Sequence, residues 1–202
     1  MEITTIVFDI GNVLAEFCWE RHFRSFGFSE ETFQRLAKAT VLDSVWDEFD
    51  KGVMTLDEMT KLFIQNDPGV EQEIRTILKD ISPCIDVYDY AYDWIREFKA
   101  NGYHVYILSN FSEKCYLDCG EKMNFVKEAD GAVISYQEKM IKPDACFYEV
   151  LLDRYHLIPE ECVFMDDKQI NIEAAKALGM NGIVFTTKNV ALVELRKMGV
   201  RI

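Results

Sequence analysis

The stretch Thr5-Ile6-Val7-Phe8-Asp9-Ile10-Gly11-Asn12-Val13 decides the reading of this chain. After β-branched Thr5, three apolar residues run without a polar break and stop at an acid, with a glycine two residues beyond it. A short continuous apolar run bounded by turn residues reads as a buried strand. Four further runs have the same character: His104-Val105-Tyr106-Ile107-Leu108, Ala132-Val133-Ile134, Cys162-Val163-Phe164-Met165 and Gly182-Ile183-Val184-Phe185. Helical stretches separate the later ones. Asp86 to Ala100 closes on Asn101-Gly102, Ser112 to Met123 starts on a capping serine, Asp144 to Tyr155 follows Pro143, and Ile170 to Leu178 stops at Gly179. Proline suits a first helical turn and glycine a helix end. Strands alternating with helices predict an α/β fold with a doubly wound parallel sheet.

One interval breaks the rhythm. Residues 14–83 are far more than one crossover helix needs. Within them Thr55-Leu56-Asp57-Glu58 spells a capping box, and Phe33, Leu36, Ala37, then Leu56, Met59, Leu62, Phe63 follow helical spacing. This segment reads as an α-helical cap inserted after strand one. The core is then residues 1–13 with 84–202.

Composition bounds the rest. The chain has 202 residues, 49% of them hydrophobic, enough for a packed core, and a formal net charge of −13. Such an acidic surface repels nucleic acid and anionic lipid. No apolar run approaches a membrane span, and Met1-Glu2-Ile3-Thr4 lacks the basic start of a signal peptide. The expectation is a cytoplasmic protein, monomeric or weakly dimeric, with no nucleic-acid or membrane partner. The six cysteines show no metal-type C-x-x-C pair and read as reduced thiols, with Cys115 and Cys119 four apart on one helix.

In an open parallel sheet, ligands bind beyond the carboxyl ends of the strands. The residues there are Asp9-Ile10-Gly11-Asn12, Ser109-Asn110 and Asp166-Asp167. Structural acids usually cap helices, so three polar strand ends point to chemistry. A carboxylate is able to act as a nucleophile, and phosphoryl transfer is mostly positioning and charge stabilisation. Magnesium prefers hard oxygen ligands. Lys142, held in Met140-Ile141-Lys142-Pro143-Asp144, is the natural cation to offset the acids.

Together, Phe8-Asp9-Ile10-Gly11-Asn12-Val13, Leu108-Ser109-Asn110, Lys142-Pro143-Asp144 and Phe164-Met165-Asp166-Asp167 with Asn171-Ile172-Glu173-Ala174-Ala175 resemble the four ordered motifs of the haloacid dehalogenase superfamily. The resemblance implies a Rossmann-like core, a helical cap and a phosphoaspartate mechanism. It implies Asp9 as nucleophile, Ser109 and Lys142 as phosphate contacts, and Mg2+ on Asp9, Asp167 and the carbonyl of Gly11, with Asp166 acting through water. Phe17, Trp19, Arg21 and His22 follow strand one directly and are expected to face the site entrance, with Asn110, Trp19 and His22 as the substrate contacts and Trp46 and Phe49 as cap core. His104 and His156 read as structural.

The chain departs from that pattern at one position. Most phosphatases of the superfamily carry a second aspartate two residues after the nucleophile, and here that residue is Gly11. General acid–base assistance is typically worth about 10²–10⁴-fold. Three readings follow. The chain is a phosphatase of a small phosphorylated metabolite, similar to those acting on glucose 1-phosphate, in which the leaving group needs less help or Glu16 or His22 supplies it. Alternatively it is a 2-haloacid dehalogenase, which needs no acid; the Asp166-Asp167 pair speaks against this. Or it is a non-catalytic binding relative, which the intact Asp9, Ser109, Lys142 and Asp167 oppose.

Overall fold

The computed structural model describes residues 2–202. Five parallel strands form the main sheet in the order β5-β4-β1-β6-β7: β1 is Thr5–Phe8, β4 His104–Ser109, β5 Gly131–Ile134, β6 Cys162–Asp166 and β7 Asn181–Val184. All five expected strands are present, shifted by at most one residue at either end. The fold is an α/β, doubly wound parallel sheet, as expected.

Alternation along the strands explains the layering. Successive side chains of a strand point to opposite faces. Ile6 and Phe8 of β1, Val105 and Ile107 of β4, and Val163 and Met165 of β6 belong to one buried cluster with Trp94 and Phe98. Val7, Tyr106, Leu108 and Phe164 belong to the other, with Phe147, Tyr148 and Ile172. The strands are buried on both faces, so their sequences read as unbroken apolar runs instead of alternating ones. The first face is covered by α6 (Ala91–Ala100) and α11 (Lys188–Lys197), the second by α9 (Ala145–Arg154) and α10 (Gln169–Ala177).

A second, two-stranded antiparallel ribbon pairs β2 (Ala15–Phe17) with β3 (Ile85–Val87). Between its strands lie α1 (Trp19–Ser25), α2 (Glu30–Ala39), α3 (Val45–Lys51), α4 (Leu56–Asn66) and α5 (Glu71–Ile77). The capping box of α4 forms in full: Thr55 Oγ1 accepts from the Glu58 amide, and Glu58 accepts from the Thr55 amide at 2.8 Å.

Two helix expectations are corrected. The helix expected from Asp86 begins only at Ala91, because Ile85, Asp86 and Val87 pair with β2, and Asp86 accepts a 2.8 Å bond from Arg21. The helix expected over Ser112–Met123 is α7 (Glu113–Cys119), capped by Ser112 as read, and it gives way to a 3-10 segment at Gly120, whose φ is 49°. A four-residue turn of helix, α8 (Ser135–Glu138), follows β5. Among the described residues, no helix is long and apolar enough to cross a membrane.

Candidate active site

The sheet register sets the geometry of the site. Phe8 pairs with Ile107 on one side and Met165 on the other. The next residues out, Asp9, Leu108 and Asp166, therefore stand level at the carboxyl edge of three adjacent strands, with Ser109 and Asp167 one step beyond. This is where an open parallel sheet leaves a crevice.

Asp9 is fixed by its surroundings. Its amide donates to the Met165 carbonyl at 2.9 Å, and its Oδ1 accepts from the Ile10 amide at 2.7 Å. Oδ1 also lies 2.8 Å from Lys142 Nζ. Oδ2 is the freer oxygen and faces position 11, where a Cβ would stand 3.9 Å away. Burial pushes the Asp9 carboxyl up to about 6, Lys142 opposing and Asp166 reinforcing the shift.

Lys142 is buried and fully engaged. Its Nζ donates to Asp166 Oδ2 at 2.6 Å and to the Leu108 carbonyl at 3.0 Å besides pairing with Asp9. Burial lowers the ammonium pKa, but the two carboxylates more than offset this, and the net shift is upward. Asn110 clasps the lysine backbone from both sides: Oδ1 accepts from the Lys142 amide at 2.8 Å and Nδ2 donates to its carbonyl at 3.0 Å. The side chain expected at the substrate is thus committed to holding Lys142, although Asn110 also lines the cavity.

Asp166 has no exposed surface. Both its oxygens accept from Asn171 Nδ2 at 3.0 Å, and Oδ1 also accepts from the Lys168 amide at 2.8 Å. Asp167 is half-buried and accepts from Asn12 Nδ2 at 2.8 Å, while Asn12 Oδ1 accepts from the Phe17 amide. Oxygens of Asp9, Asp166 and Asp167 all lie within 4.8 Å of one another. Ser109 Oγ is buried beside the Asp9 carboxylate, yet makes no hydrogen bond of ordinary geometry. An unpaired buried hydroxyl is costly, so Ser109, although it does not itself line the cavity in front of Asp9, keeps a free donor beside that carboxylate.

A cavity of about 370 Å³ opens in front of these residues. Asp9, Gly11, Asn110, Lys142 and Asp167 line its floor, and Val41 to Asp50 of the helical segment supply the opposite wall. Of the expected substrate contacts, Trp19 and His22 do not line it. Trp19 stacks on Phe33 at 5.9 Å and 5°, and His22 packs edge-on against Phe26 at 5.0 Å. Burial lowers the His22 pKa. Glu16 points to Arg21, 3.6 Å away, outside the cavity. Apolar neighbours within the helical segment claim the first pair, and strand pairing in the ribbon orients Glu16.

Phe17, expected at the site entrance, does line the cavity, while Arg21 pairs with Asp86 instead, and residues not expected there complete the lining. Phe17, Trp46, Ile85 and Phe111 form apolar lining, and Asp47 and Asp50 bring carboxyls. Trp46 was expected among the cap core. It packs on Phe49 and Phe63 at 5.3 and 5.9 Å and still presents surface to the cavity, whereas Phe49 is buried as expected. The spacing of Trp46 and Asp50 at i and i+4 was the available signal, since it places both on one helix face.

Residues 3–179 match the model of the haloacid dehalogenase-like hydrolase family. A sesquiterpene phosphatase, astK of Aspergillus oryzae, is 28% identical over 193 residues, spanning 95% of this chain and 94% of that one. D-ribitol-5-phosphate phosphatase of Bacteroides thetaiotaomicron is 26% identical over 195 residues, 88% of this chain and 89% of the relative. A haloacid dehalogenase family enzyme of the same bacterium, solved as a magnesium complex, superposes with a TM-score of 0.75 at 21% identity, covering 93% of this chain and 96% of its own. With the family match spanning most of its length, and with acids and a lysine gathered at three strand ends, the chain belongs to the haloacid dehalogenase-like hydrolase family.

Proposed function

We propose that this protein is a magnesium-dependent phosphatase that hydrolyses a small phosphate monoester through an aspartyl-phosphate on Asp9. The observation that carries the reading is the convergence of Asp9, Lys142, Asp166 and Asp167 with the unpaired Ser109 hydroxyl. Asp9 Oδ2 attacks phosphorus while Lys142 and the Ile10 amide hold Oδ1. Ser109 Oγ donates to a phosphate oxygen, and the positive charge of Lys142, held by Asp9, Asp166 and the Leu108 carbonyl, lies beside the phosphate, where negative charge concentrates. Asp166 keeps Lys142 in place.

The donor set fits the metal. Three carboxylates face one lysine, leaving an excess of two negative charges that a hard divalent cation balances. Asp9, Asp167 and the Gly11 carbonyl would hold it, and Asp166, whose oxygens already accept from three residues, would act through water. Bound there, magnesium supplies positive charge against the phosphate and sets its orientation.

Residues 14–83 act as a cap domain over a core of residues 1–13 and 84–202, and exclude macromolecular substrates. A sugar phosphate such as glucose 1-phosphate is the leading substrate class, in line with the ribitol-phosphate-cleaving relative. A second class is favoured by the lining of Phe17, Trp46, Ile85 and Phe111: an ester whose alcohol carries an apolar body, as in the sesquiterpene phosphatase relative.

The test is phosphate release from glucose 1-phosphate, a pentitol 5-phosphate, a sesquiterpenyl phosphate and p-nitrophenyl phosphate, with magnesium and with chelator. Magnesium-dependent release that Asp9→Asn abolishes is the expected result. A folded protein that releases no phosphate from any of them, yet frees chloride from 2-chloropropionate, would be a dehalogenase instead.

A further inference from the structure

Gly11 leaves the site without a carboxyl two residues after Asp9, and the structure leaves that space open. A Cβ on Gly11 would meet only Asp9 Oδ2, at 3.9 Å. The leaving oxygen of a substrate must still find a proton, and water must later lose one. Glu16 and His22 lie outside the cavity. Besides Asp9 and Asp167, the carboxyls lining it are Asp43, Asp47 and Asp50, all from the helical segment.

These three are not equivalent. Asp43 uses Oδ1 to accept from the Val45 amide at 2.9 Å, at the entry to α3. Asp47 is exposed to solvent. Asp50 is half-buried in the last turn of α3 and has no salt-bridge partner among the described residues. Its backbone is tied to the opposite wall: the Asp50 carbonyl accepts from Ser135 Oγ at 2.6 Å, and the same Ser135 Oγ accepts from the Phe111 amide at 2.8 Å. Phe111 directly follows the Ser109-Asn110 edge of β4. Lys139 Nζ donates to the Gly52 carbonyl, two residues on. The end of α3 is therefore fastened to the core beside the phosphate-binding edge, which gives Asp50 a fixed position across the cavity from Asp9.

We propose that Asp50, reaching in from the helical segment, is the general acid and base that replaces the carboxyl missing at position 11. The assignment rests on the phosphatase reading above. As Asp9 Oδ2 bonds to phosphorus, the bond from phosphorus to the ester oxygen breaks, and that oxygen takes the proton of the Asp50 carboxyl and leaves as the alcohol. The Asp50 carboxylate then takes a proton from water while the water oxygen bonds to phosphorus. The Asp9–phosphorus bond breaks, releasing inorganic phosphate and restoring both aspartates to their starting protonation.

The electrostatics suit both halves of the cycle. Burial pushes the Asp50 carboxyl up to about 7, with the charges of Asp47 and Asp9 adding to the rise and Lys168 opposing it; the Ser112 amide, at the start of α7, lies alongside. A group that titrates near the working pH is both a competent acid and a competent base.

The experiment compares parent, Asp50→Asn and the double variant Gly11→Asp with Asp50→Asn, each with magnesium. The substrates are the best primary alkyl phosphate of the panel and p-nitrophenyl phosphate, whose leaving group needs no proton. Asp50→Asn is expected to lower turnover of the alkyl ester by about a hundredfold or more, and to flatten the limb of the pH profile near 7. On p-nitrophenyl phosphate it is expected to give a burst of one nitrophenol per protein, because the phosphoaspartate forms but waits for a base. Adding Gly11→Asp is expected to recover alkyl-ester turnover, which also shows that the single variant is folded. A folded Asp50→Asn that matches the parent on the alkyl ester, with an unchanged pH profile, overturns the role of Asp50 and leaves the phosphatase intact. A parent inert on every ester overturns both.

Discussion

Lys142 Nζ lies 2.8 Å from Asp9 Oδ1 in a pocket where the lysine is almost wholly buried, with Asp166 Oδ2 at 2.6 Å on its other side. One ammonium thus organises two carboxylates from adjacent strands. Removing one partner of a buried ionic cluster leaves uncompensated charge, typically at a cost of about 3–5 kcal/mol. Lys142→Ala is expected to lose that order of stability in denaturant titration and to lose at least about a hundredfold in phosphate release. A variant as stable as the parent would show that Asp9 and Asp166 do not depend on the lysine.

The carboxylate group is expected to report metal binding without any turnover. A ligand held by the native state alone stabilises by about 2.7 kcal/mol at a hundredfold excess over its Kd. For a chain of this size that amounts to roughly 5–10 °C in Tm. Magnesium is expected to raise the melting temperature of the parent, chelator to reverse it, and Asp167→Asn to remove the response. A parent whose melting curve ignores magnesium would contradict the proposed ion.

Asp50 is expected to make stability depend on pH in a defined window. Its carboxyl titrates near 3.8 when unfolded and at about 7 when folded. Between those values the native state holds a proton that the unfolded chain has released, so stability falls as pH rises from about 4 to 7. Asp50→Asn removes this loss. The melting temperature of the variant relative to the parent is expected to climb across that window, by the equivalent of about 1 kcal/mol after allowance for partial solvent exposure. A constant difference between pH 4 and 8 would place the Asp50 titration elsewhere.

Gly52 ends α3 with a φ of 64°, and a Cβ there would come within 2.9 Å of Tyr136 Cβ. Strain in a left-handed position and overpacking each cost about 1–2 kcal/mol. Gly52→Ala is expected to destabilise by that order and to lower turnover with Asp9 untouched, because it lifts Asp50 and Trp46 away from the core. Thermal melts beside steady-state rates separate the two effects, and an alanine variant with parental values of both would show the close approach to be unimportant.

Much of this molecule was legible in its residues. The five parallel strands follow from unbroken apolar runs, since a sheet buried on both faces admits no polar alternation. The capping box at Thr55 and the cap of α7 at Ser112 follow from local hydrogen bonding that neighbouring residues supply. The two-stranded ribbon was not legible: three residues carry too little periodic signal, and Phe17 finds Ile85 only across 68 positions of chain. The placements of Trp19 and His22 failed for a related reason. Proximity to Asp9 in sequence does not set which way a helix turns its faces, and Phe33 and Phe26 claim those rings.

The sequence alone determined which groups stand at the carboxyl edge of the sheet, because strand ends and their polar followers are local features. Only the tertiary structure decided which of them touch. Strand register brings Asp9 level with Asp166 and beneath Lys142, and the packing of α3 against α8 brings Asp50 to a cavity whose floor is built from residues far from it in the chain on both sides. Such contacts depend on how distant surfaces fit together, and no short stretch of residues carries that information.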